Sequence, residues 1–243
     1  MTDNRNVLFS FSISHFCEKA RWALELAGID YTETTMIPGK NARLAKRLNL
    51  AQRTLPIFRL EDGSVIQEAA QITDFAAEQT EHTLLHGSCD IEKRLELNLG
   101  GPIAFLFYSA VIADNPQDLR SVFRDGLSIG SSTLLYAIWP MVLRAMISGM
   151  QLGPKQAIES QNKILSELDW LDHQFSDGRK FLAGDAPGRE DLTAAALLAL
   201  LIFPKEHPTY RRFKLPDTLE DFRAKNSDRA SIVMINRLYR DYR

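Results

Sequence analysis

Residues 7–28 read VLFSFSISHFCEKARWALELAG, and this stretch decides the fold of the N-terminal part of the chain. Its opening VLFSFS interleaves apolar and polar side chains, which is typical of a half-buried β-strand. Ala20, Ala23 and Leu24 then recur at helical spacing, and Gly28 suits the position just after a helix. The stretch therefore predicts a strand that turns directly into a helix.

Strand and helix signals continue to about residue 80. Asp62-Gly63 lies between two β-rich runs and is a strong hairpin signal. The later strands and helices are predicted at residues 29–36, 41–48, 55–59, 64–67 and 69–78. The order β-α-β-α-β-β-α predicts a mixed sheet covered by helices.

Beyond residue 88 every predicted element is a helix, and the polar residues 80–88 suit a linker. We therefore expect an α/β domain over residues 1–82 and an all-helical domain over residues 89–243. The predicted helices lie at 90–113, with a break at 100–102, and at 116–124, 130–150, 154–175, 190–201 and 227–240.

Composition excludes several classes of protein. The 243 residues are 45% hydrophobic and 25% charged, which is typical of a globular chain, and the net charge of -2 offers no basic field for nucleic acid. Two cysteines are too few for a disulfide framework, and the polar start MTDNRN does not resemble a signal peptide. We therefore expect a cytoplasmic protein. The five histidines are scattered without metal-ligand spacing, so we expect no metal.

Residues 129–150 approach the length of a membrane span. Arg144 is costly at the centre of a bilayer, and Pro140 kinks a helix. We therefore expect a buried helix here, and no membrane partner.

The turn between the first strand and helix is rich in hydroxyl and thiol groups. A helix N-terminus presents unpaired N–H groups and about half a positive charge, so it favours an anion such as a thiolate. Local sequence alone favours Ser14 as an ordinary N-cap and Cys17 as an ordinary small buried residue. Both interpretations stay open at this point.

Three segments together resemble the glutathione transferase family: SISHFCEKARWALELAGIDY, TLPIFRLEDGSVIQEAAQITDFA and FLAGDAPGREDLTAAALLALL. The resemblance spans essentially the whole chain. It implies a thioredoxin-like N-terminal domain followed by an all-α helical domain, a bacterial-like serine-type member of unassigned class, glutathione as co-substrate and a homodimer.

The resemblance also implies roles for residues of the first turn. Ser14 falls where serine-type classes place the catalytic hydroxyl, which would donate a hydrogen bond to the glutathione sulfur. Cys17 falls on the second position of a thioredoxin-like C-x-x-C, here S-x-x-C. A dithiol mechanism is therefore excluded, and a mixed-disulfide role for Cys17 stays an alternative.

Further positions match the glutathione-binding residues of the family. Leu55-Pro56 matches a cis peptide bond whose first residue pairs with the cysteinyl amide of glutathione, and Glu68 matches the residue that holds its γ-glutamyl end. Ala69 departs from the family, because a serine or threonine is usual there. Candidates for the glycyl carboxylate are Lys40, Arg53 and Gln52.

Two features of the helical part complete the comparison. Gly188 stands where the family's folding motif has a capping serine or threonine, followed by Asp191. The electrophile pocket is expected between the domains, with Phe105, Tyr108 and Trp139 as its apolar lining. Tyr136 and Met146 are further candidates for the same lining, and helical spacing alone favours the core for any one of the five.

Three functions follow as hypotheses. The first is a transferase in which the glutathione thiolate attacks a small hydrophobic electrophile. The second is a glutathione-dependent oxidoreductase or isomerase that uses Cys17. The third is a non-catalytic binding module with the same fold, because fold does not imply function.

Overall fold

The computed structural model describes residues 5–210 and 214–243. The N-terminal part is built on a four-stranded sheet of order β2-β1-β3-β4, in which β1 and β2 are parallel and the other pairs are antiparallel. The strands are β1 Val7–Ser10, β2 Thr32–Thr35, β3 Ile57–Arg59 and β4 Val65–Gln67. The helices that cover it are α1 His15–Leu26, α2 Lys40–Arg47 and α3 Ala69–Ala77.

Alternation along the strands gives the sheet two apolar faces. One face carries Leu8 and Phe58, which pack with Leu24 of α1 and Ile72 of α3 in a buried cluster. On the other face α2 packs over a second cluster, of Cys17, Leu55 and Ile57 with Phe9, Met36 and Leu44 at its edge. The thioredoxin-like arrangement expected for this part is confirmed.

The rest of the chain is helical. Its α-helices are α4 Cys89–Leu95, α5 Gly101–Asp114, α6 Pro116–Arg124, α7 Ile129–Gly149, α8 Pro154–Gln174, α9 Arg189–Ile202, α10 Asp217–Asn226 and α11 Ala230–Tyr242. Every residue of α9 is buried, so this helix forms the centre of the helical part. It contacts α1, α4, α5 and α11, and so joins both parts of the chain.

The expected break at residues 100–102 is absent. A π-helical turn over Glu96–Gly100 instead carries α4 directly into α5, and Pro102 sits in the first turn of α5, where its missing N–H costs nothing. The resulting helix Cys89–Asp114 is long and apolar enough to cross a membrane, with 56% of its most apolar window buried. The core helix of a soluble protein has the same length and apolar composition.

Helix α7 corrects the expectation of a buried helix at residues 129–150. Only Leu135, Trp139 and Val142 are buried. Tyr136 is 66% exposed and Met141 is 64% exposed. The helix packs along one narrow stripe and leaves a broad apolar face uncovered.

Candidate functional site

Ser14 caps the N-terminus of α1. Its backbone is extended (φ -73, ψ 123), and its Oγ accepts a hydrogen bond from the backbone N–H of Cys17 at 3.3 Å. The backbone carbonyl of Ser14 accepts from Glu18 N at 2.9 Å. A hydroxyl has one donor and two acceptor positions, so the capped Ser14 can still donate its proton to an anion.

The side chain of Arg21 fixes the loop between β1 and α1. Its Nη2 donates to the carbonyl of Phe11 at 3.0 Å, and its Nε lies 2.8 Å from Glu33 Oε1 on β2. Glu33 also accepts a hydrogen bond from Ser10. The loop between β1 and α1 is thus fixed to the sheet by a charged network, which sets the direction of the helix end.

Cys17 lies one turn into α1 and has no exposed surface. It packs against Leu55 and Ile57. Burial raises the pKa of its thiol, and the nearby Arg21 opposes that rise. The thiol is therefore protonated at neutral pH and shielded from solvent, which disfavours a nucleophilic role.

The Leu55-Pro56 peptide bond is cis, as the resemblance implies. The carbonyl of Pro56 accepts from the backbone N–H of Glu68 at 3.3 Å. Glu68 has φ 73 and ψ 139, an uncommon conformation for a residue other than glycine, and it precedes the first residue of α3. Its Oε1 accepts from Thr54 Oγ1 at 2.6 Å.

Ala69 is the first residue of α3 and is 2% exposed. Its methyl group faces the protein interior, while its N–H belongs to the unpaired donors of a helix N-terminus. The only ligand contact that this position offers is therefore through its backbone.

A cleft of about 400 Å³ opens at Ser14, between the first turn of α1 and helices α5, α6 and α7. Its apolar wall contains Phe105 and Tyr108. Burial raises the pKa of Tyr108, so its hydroxyl stays protonated. The cleft residues are Phe11, Ser14, His15, Phe16, Pro38, Gly39, Asn41, Gly100, Gly101, Ala104, Phe105, Tyr108, Phe123, Met146 and Met150.

Other candidate residues lie elsewhere. Trp139 is 2% exposed and packs in the core, and Tyr136 lies on the outer face of α7. Lys40 lines a different cavity, between α2 and the sheet residue Phe9. Arg53 is exposed, and its backbone carbonyl accepts a hydrogen bond from the side-chain amide of Asn41. Asn41 was not among the candidates from the sequence.

No cluster of three or more His, Cys, Asp or Glu side chains suited to a metal occurs within residues 5–210 and 214–243.

Residues 8–98 match the family model described as the N-terminal domain of glutathione S-transferase. This part of the chain is therefore similar to the N-terminal domain of glutathione S-transferases. The resemblance drawn from the three sequence segments is thereby confirmed, without a class. No curated protein sequence matches the chain significantly.

Solved structures show the same fold over nearly the whole of this glutathione S-transferase-like chain. A glutathione transferase from Phanerochaete chrysosporium is 13% identical with a TM-score of 0.65, covering 98% of this chain and 97% of that one. One from Ceriporiopsis subvermispora, in complex with glutathione, is 16% identical with a TM-score of 0.57 and the same coverage. One from Methylobacillus flagellatus with bound glutathione is 15% identical, with a TM-score of 0.54, covering 95% and 98%.

Proposed function

We propose that this chain binds glutathione in the cleft at Ser14 and catalyses the attack of its thiolate on a small hydrophobic electrophile. The observation that carries the proposal is the partly exposed Ser14 hydroxyl at the N-terminus of α1, facing a cleft with an apolar wall. A free thiol with a pKa near 8.5 is only a few per cent ionised at pH 7. The helix end and the hydroxyl stabilise the thiolate, so a larger fraction becomes nucleophilic.

Glutathione would be held by three parts of the N-terminal domain. Its cysteinyl amide would pair with the backbone of Leu55. Its γ-glutamyl ammonium would meet Glu68, and the neighbouring carboxylate would take the free N–H of Ala69. Arg53, or the Asn41 amide beside it, would meet the glycyl end. Because Ala69 supplies no hydroxyl, we expect weaker binding than a serine there would allow.

The electrophile would occupy the apolar side of the cleft. Phe105 and Tyr108 face this space together with Phe123 and Met146, and a site with few polar groups selects hydrophobic molecules. The Tyr108 hydroxyl is the polar group available to a leaving group or carbonyl on this wall.

The oxidoreductase alternative requires Cys17 as the nucleophile. Its thiol is fully buried and its pKa is raised by burial, so attack on a disulfide would first require the helix start to open. We therefore favour the transferase.

We propose further that the protein is a cytoplasmic homodimer. The exposed apolar residues Ile129, Tyr136 and Met141 of α7 support an interface on that helix. Both cysteines are free, which suits a reducing compartment.

Calorimetric titration with glutathione and a conjugation assay with a generic aryl halide test the proposal. Ser14→Ala should lower kcat/KM about 10- to 100-fold at pH 6.5, because a charge-assisted hydrogen bond is worth roughly 1.5 to 3 kcal/mol. The deficit should shrink above about pH 8.5, where the free thiol ionises unaided. Ser14→Thr keeps a hydroxyl and should retain part of the activity.

Cys17→Ala is the matched control and should change kcat/KM far less than Ser14→Ala. The reverse ranking, with activity only on disulfide substrates, would move the assignment to the oxidoreductase. If titration with glutathione gives no heat of binding, the non-catalytic binding module becomes the favoured function.

A further inference from the structure

The segment from residue 37 to residue 60 is strongly basic in a chain whose net charge is -2. It contains no aspartate or glutamate. Its cations are Lys40, Arg43, Lys46, Arg47, Arg53 and Arg59. Such one-sided charge over two dozen residues is not required by the sheet or by the cleft at Ser14.

Helix α2 gathers three of these cations on one face. Lys40, Arg43 and Arg47 are spaced by three and four residues, which places them in line along the helix. They surround a cavity of about 340 Å³, and we call it the α2 cavity. Its floor is apolar and consists of Phe9, Met36 and Leu44.

The three cations lack acidic partners in the part of the chain that the structure describes: no carboxylate lies within 4.0 Å of their side-chain nitrogens. The nearest strand acid, Glu33, pairs with Arg21 on the opposite face of the sheet. Like charges one helical turn apart repel each other by a few tenths of a kcal/mol. An anion between them removes that repulsion.

A fourth cation borders the same apolar floor. The guanidinium of Arg59 lies 5.9 Å from the centre of the Phe9 ring. The aromatic floor is thus flanked by positive charge from α2 and from β3. This combination fits a ligand that is anionic at one end and apolar at the other.

We propose that the α2 cavity binds a small organic anion, with a phosphate or carboxylate head on Arg43, Arg47 and Lys40 and a short apolar body against Phe9, Met36 and Leu44. A guanidinium presents a planar fork of donors that matches both kinds of head group. The volume lies within the range of small-molecule sites.

The α2 cavity is separate from the cleft at Ser14. No residue lines both of them. From the loop before α2 and its first turn, the cleft at Ser14 is lined by Pro38, Gly39 and Asn41. The proposed anion site therefore does not depend on glutathione binding.

Calorimetric titration of the full chain with octyl phosphate, below its micelle concentration, tests the site. We expect saturable binding of one molecule per chain. Arg43→Glu and Arg47→Glu should each raise the dissociation constant about tenfold or more, because each removes a charge-assisted contact. Inorganic phosphate and octanol, which are the two halves of the probe, should both bind at least about tenfold more weakly.

Lys46→Glu is the matched control, because it makes the same charge change on the same helix at a residue that does not line the cavity. It should leave the affinity for octyl phosphate within about twofold. Equal losses in Lys46→Glu and Arg43→Glu would show a diffuse charge effect and overturn the proposal. So would an unchanged affinity in Arg43→Glu, since the probe would then bind elsewhere.

A flotation assay with phosphatidylserine vesicles distinguishes a free anion from a lipid headgroup. Octyl phosphate binding without vesicle binding supports the site as proposed. Vesicle binding that is lost in both Arg43→Glu and Lys46→Glu, without octyl phosphate binding, would replace the cavity by a basic membrane-facing surface.

Discussion

Replacement of Gly188 by serine should destabilise the protein, although serine is the better helix N-cap. Gly188 precedes α9 and has φ -122, which any residue can adopt. A Cβ at this position would lie 2.7 Å from the Cβ of Ala183, 2.9 Å from Oε2 of Glu190 and 3.2 Å from the carbonyl oxygen of His86. The Glu190 carboxylate ends a flexible side chain, but the other two atoms cannot swing aside. Steric contact, and not backbone conformation, thus requires a glycine here.

The two effects differ enough in size to fix the sign. A serine N-cap stabilises a helix by only a few tenths of a kcal/mol more than a glycine N-cap does. Forcing an extra carbon into a packed position costs roughly 1 to 3 kcal/mol. We therefore expect a net loss of about 1 to 2.5 kcal/mol for Gly188→Ser, or a Tm lower by roughly 2 to 4 °C per kcal/mol.

A double-mutant cycle tests whether the contact with Ala183 causes this loss. The free energy of unfolding in urea is measured for the unmodified chain, Gly188→Ser, Ala183→Gly and the double variant. Ala183→Gly removes the closest atom and leaves the backbone N–H that donates to Asp191. The double variant should therefore recover most of the stability lost in Gly188→Ser, with a coupling energy of about 1 kcal/mol or more. If Gly188→Ser is as stable as the unmodified chain, or if Ala183→Gly gives no recovery, the steric explanation is wrong.

Two further predictions concern buried polar groups. Burial lowers the pKa of both His15 and His207 to about 4, so between pH 6.5 and 4 the unfolded chain binds protons that the folded chain does not. Lowering the pH from 7 to 5 should therefore remove about 2 kcal/mol of stability per histidine. Urea midpoints that stay constant over this range would contradict it. The Asp191 carboxylate accepts hydrogen bonds from the backbone N–H groups of three residues that precede α9. Asp191→Ala should lower the free energy of unfolding by roughly 1 to 3 kcal/mol for each donor left without a partner. A loss under about 1 kcal/mol in urea unfolding would show that water replaces them.

The fold of the N-terminal part could be predicted because its signals are local. Alternation in residues 7–12, helical spacing from Ala20 to Leu24, and the Asp62-Gly63 hairpin turn each act within one element. Such signals need no knowledge of distant contacts. The position of Ser14 at the helix start follows from the same local pattern.

The cleft wall was harder to predict because it depends on contacts between distant helices. Phe105 and Tyr108 lie where expected, yet Trp139 is also apolar on a helix of the same part and is buried in the core. Phe123 was missed because helix α6 brings it to the cleft across more than a hundred residues from Ser14. Periodicity shows that a face is apolar, but it does not show which neighbour covers that face.

The exposed face of α7 is an instance of the same limit. Its apolar residues predicted burial, yet Met141 is exposed, and Tyr136 stays 66% exposed although the Arg120 guanidinium lies 4.3 Å from the centre of its ring. Apolar composition indicates that a surface tends to leave water, whether the contact is made inside one chain or with a second molecule. The sequence alone carries no signal that separates these two cases.

The relative position of α1 and the cleft wall is set by charge pairs remote from the cleft. Lys19 of α1 is fully buried and lies 2.7 Å from Glu96, just before α5. Arg189 of α9 lies 2.6 Å from Asp74 of α3 and 2.8 Å from Glu92 of α4. Buried pairs of this kind add little net stability, because desolvation offsets their attraction, but breaking one leaves an uncompensated charge. A shift of α1 along α4 would break the Lys19 pair, and a shift of α9 against α3 or α4 would break the pairs of Arg189. We infer that they hold the Ser14 turn at one distance from α5, so that the width of the cleft is fixed by geometry that the cleft residues themselves do not contain.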